Sequence, residues 1–87
     1  MINQTVNDVM DEYAYEIRTY QNILTHRKDE LIRIYNGERA SRVIPEPNQR
    51  RKLRRDKVLR FEPRQGGRQI FLTDEAVEGL KELGFIK

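Results

Sequence analysis

Four arginines, Arg50, Arg51, Arg54 and Arg55, recur at i, i+1, i+4 and i+5 in the stretch NQRRKLRRDK. At helical periodicity this spacing predicts two double rows of guanidinium groups on one side of a helix. Guanidinium forks grip phosphate oxygens bidentately and can also read the guanine edge in a major groove. Lys52 and Lys57 flank the rows, and Arg60, Arg64 and Arg68 follow. Arg64 and Arg68 bracket Gly66-Gly67, a tip that could grip backbone phosphate or enter a minor groove. If about six of these cations meet phosphate, affinity should fall with salt at a log–log slope of about −5.

The net charge of +3 on 87 residues conceals segregation. Residues 38–69 carry 11 Lys/Arg against 4 Asp/Glu, whereas residues 1–37 carry 4 against 6 and residues 70–87 carry 2 against 4. A basic middle between acidic flanks points to a polyanionic partner, nucleic acid first. Two other readings of the same block stand beside it. One is a docking strip for an acidic protein, with the chain as an adaptor on a larger assembly. The other is a solvated surface that binds nothing specific.

Other chemistries find little support. The chain has no cysteine, which excludes disulfides and thiolate metal sites and suits a reducing cytoplasm. His26 is the only histidine and sits among Arg27, Lys28 and Asp29, so it reads as an ordinary surface residue and not a metal ligand. Gly66-Gly67 lacks the Lys-Ser/Thr context of a phosphate loop and reads as a turn. Asp11, Glu12 and Glu16 fall on the outer face of an N-terminal helix, with nothing to raise their pKa values for acid–base work. We therefore expect no catalytic residue, no cofactor and no metal. The N-terminus MINQTVNDVMDEY does not read as a signal peptide, and no apolar run approaches membrane-spanning length.

The elements that must position the basic block follow from periodicity. Val6, Met10, Tyr13, Ile17, Tyr20, Leu24, Leu31 and Ile34 step by fours and threes, with Arg27 as the one polar interruption. This predicts a long amphipathic helix over residues 1–37, with a break near THRKDE as the alternative. Met10, Tyr13, Ile17, Tyr20, Leu24 and Leu31 form its seam, and self-association into a homodimer is expected along them. Tyr15 lies off the seam and suits a partner contact. Residues 38–47, ERASRVIPEP, read as a Pro-containing linker. Residues 48–87 then give a basic helix anchored only by Leu53, and a hairpin in which VLRFE and RQIFL alternate around PRQGG. A short helix capped by Thr73 and stopped by Gly84 closes the chain. Leu59 and Phe61 share one hairpin face, Ile70 and Leu72 the matching one, and Phe61 and Phe71 read as hairpin core. The fold class is α+β, mostly helical.

The run RRKLRRDKVLRFEPRQGGRQIFLTDEAVEGL, within residues 48–83, resembles the second half of a winged-helix DNA-binding domain. RRKLRRDKVL stands where that family has its recognition helix, PRQGGRQ where it has a basic wing, and IFLT followed by DEAVEGL where a second strand opens the next helix. One long helix and a Pro-containing linker stand where the family has two compact helices. The resemblance implies a small DNA-binding regulator of transcription or replication. Duplex DNA is favoured over RNA, although an arginine-rich helix can also enter an RNA groove.

Overall fold

The computed structural model describes residues 18–64 and 67–87. In it the chain is α+β and mostly helical, with five helices and one two-stranded antiparallel sheet among the described residues. The helices are α1 over residues 18–26, α2 (Lys28–Tyr35), α3 (Ala40–Val43), α4 (Pro47–Arg55) and, last in the chain, α5 (Asp74–Glu82). Strands β1 (Leu59–Arg64) and β2 (Gly67–Leu72) lie between α4 and α5.

The expected long helix is interrupted at the place where its apolar stripe fails. Arg27 has φ −107° and ψ 16°, away from helical values. Its N–H still donates to the Ile23 carbonyl at 3.1 Å, and its carbonyl accepts from Leu31 N–H at 2.9 Å. Its side chain turns to Glu30, 3.1 Å away.

Residues 38–47 are more than a linker. They contain the one-turn helix α3, and Ala40, Val43 and Ile44 are buried. Those positions follow i, i+3, i+4, the spacing of an inward helical face. Pro45 ends the turn by forcing Ile44 into extended backbone, with φ −124° and ψ 88°. Pro47 then opens α4 at its first position, where a missing N–H is harmless.

The hairpin has the register Leu59↔Leu72, Phe61↔Ile70 and Arg64↔Gly67. Leu59 and Leu72 are buried at the inner end of one face, and Phe61, further out on that face, is 40% exposed. Phe61 is therefore not core, because the sheet runs past the helices that cover its base. Phe71 alternates onto the other face of the hairpin and is half-buried. α2 and α3 pack on β2, and α4 packs on β1. Thr73 caps α5, its hydroxyl oxygen accepting from Ala76 N–H at 3.0 Å. Phe85 and Ile86 fold back, half-buried, against the core, and the Lys28 ammonium lies 5.2 Å from the Phe85 ring centre.

The core draws on every described element, from Leu24 of α1 to Leu80 of α5. Leu24 and Leu31, two of the expected seam residues, are fully buried in the chain's own core, with Leu24 against Gly79 of α5 and α2 packed on β2. Tyr20 is likewise half-buried internally, its hydroxyl donating to the Lys57 carbonyl at 3.0 Å. Met10, Tyr13, Ile17 and Tyr15 lie outside the described residues. No helix among the described residues is long and apolar enough to cross a membrane.

Candidate nucleic-acid interface

Leu53 fixes how α4 presents its charges. It is the one buried residue of the helix, and at 100° per residue the positions two away, Arg51 and Arg55, point to the opposite side. Both are exposed, as are Asn48 and Lys52, and these four side chains line a concavity of about 370 Å³. Arg51, Lys52 and Arg55 form no hydrogen bond or ion pair among the described residues. The outer stripe of α4 is therefore three unpaired cations and one amide on a short rigid element.

The expected double rows do not stay together. Arg50 turns inward, donating from Nη1 to the carbonyls of Ile44 at 2.6 Å and Pro45 at 2.9 Å, and so ties α4 to the end of α3. Arg54 leans on the hairpin with its guanidinium carbon 3.9 Å from the Phe61 ring centre. Its Nε is buried with no hydrogen-bond partner. The electron-rich ring face beneath the guanidinium offsets part of that desolvation, since a cation over an aromatic is favourable by about 0.5–1 kcal/mol at exposed sites. Half the arginines of α4 thus serve as structure, and the other half face outward.

The hairpin cations also divide. Arg60 is bonded to Glu62 at 2.9 Å and lies 5.6 Å from the Phe71 ring centre on the same face, which lowers its availability. Backbone pairing places Arg64 opposite Gly67 and Arg68 opposite Pro63, at the open end of the hairpin. Lys57 is exposed and stands between α4 and β1. Its carbonyl accepts from both Tyr20 and Thr73, the latter at 2.6 Å. Burial pushes the Tyr20 hydroxyl above its ordinary value of 10, so it stays protonated and remains a donor.

Outside this surface Arg27, Arg33 and Lys81 have acidic partners, whereas Arg18, Lys28, Arg39, Arg42 and Lys87 are exposed without one among the described residues. Arg33 makes a bidentate pair with Glu38 at 2.8 and 2.9 Å, and those hydrogen bonds hold the Glu38 carboxyl below its ordinary value. Arg27 is paired with Glu30. His26 is exposed on the rim of an open groove of about 870 Å³ between α1 and α4, which also includes Ile23, Leu53 and Asp56. No group of His, Cys, Asp or Glu that could hold a metal occurs among the described residues.

Asn48 and Phe61 were not singled out by the charge pattern. The signal for Asn48 was its position, three and four residues before Arg51 and Lys52 on the side away from Leu53. Phe61 carried no such signal, because an alternating aromatic looks the same whether its strand end is covered or bare. Compared with protein-family models, curated proteins and solved structures, the chain matches none.

Proposed function

We propose that this chain is a small cytoplasmic nucleic-acid-binding regulator that docks the outer stripe of α4 on duplex DNA. The observation that carries this reading is the set Arg51, Lys52 and Arg55, exposed, unpaired and gathered around one concavity on a single helix. Unpaired cations can meet phosphate without first breaking an ion pair, and the helix fixes the backbone from which they project. A helix is also the element that fits a major groove, where an arginine fork can address guanine. The order one-turn helix, basic helix, hairpin, helix supports a winged-helix-like use of the surface, with α4 as the reading helix and the hairpin end reaching beside it. Fold likeness alone assigns no ligand, and the unpaired stripe is the stronger support.

Fluorescence anisotropy with a mixed-sequence DNA duplex of about 25 base pairs tests the proposal. Four to six phosphate contacts predict a log–log salt slope of about −4 to −5, with duplex RNA binding more weakly. Absence of binding at low salt would overturn the reading and favour an acidic protein surface as the partner. A nearly flat salt dependence would show that phosphates are not what the stripe contacts.

A further inference from the structure

Three helices of this chain end in the same hydrogen-bonded motif, and one of the three breaks its residue rule. At the end of α2, Gly37 N–H donates to Ile34 O at 3.0 Å and Glu38 N–H to Arg33 O at 3.1 Å. At the end of α5, Gly84 N–H donates to Lys81 O at 3.0 Å and Phe85 N–H to Leu80 O at 2.9 Å. At the end of α4, Lys57 N–H donates to Arg54 O at 3.1 Å and Val58 N–H to Leu53 O at 2.8 Å. This pairing requires a left-handed residue just past the helix cap, a position that glycine takes at no steric cost. The three residues have φ of +104°, +80° and +63°, and the third is a lysine.

Lys57 is the only non-glycine with positive φ among the described residues. A side chain there brings Cβ against the following carbonyl. The hydroxyls of Tyr20 and Thr73 both donate to the Lys57 carbonyl and so hold the backbone in this conformation. The charge is not needed to complement the helix dipole, since Lys52, Arg54 and Arg55 already occupy the last turn of α4. Its ammonium is exposed and has no acidic partner among the described residues. Strained backbone of this kind persists where the side chain has work to do.

Resting on the nucleic-acid reading, we infer that Lys57 is a phosphodiester-contacting residue kept at a glycine position at the expense of stability. It stands exposed at the junction of α4 and β1, and its ligand is the backbone phosphate of the duplex, not a base edge. Being a phosphate contact, it adds affinity uniformly across sequences.

Lys57→Gly separates the two roles, because they have opposite signs. Thermal melting should rise by about 4 °C as the strain is removed. Duplex affinity should fall by about three- to ten-fold, with the salt slope shallower by about 1. Lys57→Arg, which keeps the charge, should retain affinity, and Lys57→Asn, which tolerates the left-handed region without a charge, should lose it. A wild-type chain that binds duplex beside a Lys57→Gly chain of unchanged affinity and slope would overturn this inference alone. A lower melting temperature in Lys57→Gly would also overturn it, by showing that the lysine serves the helix end. If the wild-type chain binds no duplex, the nucleic-acid reading fails and this inference fails with it.

Discussion

Replacing Arg51 and Arg55 together by alanine is expected to weaken duplex binding by about thirty-fold, roughly 2 kcal/mol. The salt slope should become shallower by about 2, one unit for each phosphate contact removed. Both side chains are exposed and unpaired, and alanine is the best helix former, so circular dichroism and melting should be unchanged. Arg50→Ala supplies the contrast. Its guanidinium holds the carbonyls of Ile44 and Pro45, and hydrogen bonds from a charged donor contribute about 1.5–3 kcal/mol each. That variant should lose stability while leaving the salt slope nearly intact. Equal effects of the two variants on the slope would mean that the inward and outward arginines are not separated as described.

The second large effect lies in the core, where α1 crosses α5. Leu24 is fully buried, and Leu24→Ala is expected to remove about 2–5 kcal/mol. That is a large part of what an 87-residue chain has, since stability runs at roughly 0.05–0.15 kcal/mol per residue. The crossing is close because residue 79 is glycine: a Cβ there would overlap Leu24 Cδ1 and sit 3.7 Å from Tyr20 Cε2. Gly79→Leu should therefore destabilise by about 1–3 kcal/mol through overpacking, although glycine is a poor helix residue. Combined with Leu24→Ala, the new side chain fills the vacated space, and the double variant should be more stable than the sum of the single losses by about 1–3 kcal/mol. Urea unfolding of the four proteins reads this directly. Strict additivity would show that the two helices do not meet at this pair.

Much of the scaffold was legible in the sequence, and the limits have physical reasons. Alternation of Leu59 with Phe61 and of Ile70 with Leu72 placed the hairpin, and Thr73 with its acidic first turn placed α5. Periodicity also found Leu24 and Leu31, but it reports only that a face is apolar and not what covers it. A dimer seam and an internal core give the same pattern, and here the chain covers those two residues itself. α3 was hidden because four residues between charged neighbours and prolines carry too little periodicity to stand out, even though Ala40, Val43 and Ile44 have inward spacing. The arginines of α4 looked equivalent because charge says nothing of direction, whereas Leu53 held the information that Arg51 and Arg55 face away from the core. Gly79 was not legible at all, since its reason is a leucine 55 positions earlier.

The glycine rule at helix ends links stability to the site. Two of the three ends use glycine and are relaxed, while the end that borders the basic stripe keeps a lysine under strain. The surface around α4 thus combines a left-handed lysine with a cluster of exposed, unpaired cations. Stability and function trade against one another in such places.

The most direct measurement is a titration of the isotopically labelled chain with the same DNA duplex, following backbone amide resonances by NMR. Shifts should concentrate at Asn48, Arg51, Lys52, Arg55 and Lys57, fading toward α2 and the C-terminal turn of α5. Shifts confined to α2 or α5, or no shifts at low salt, would contradict it.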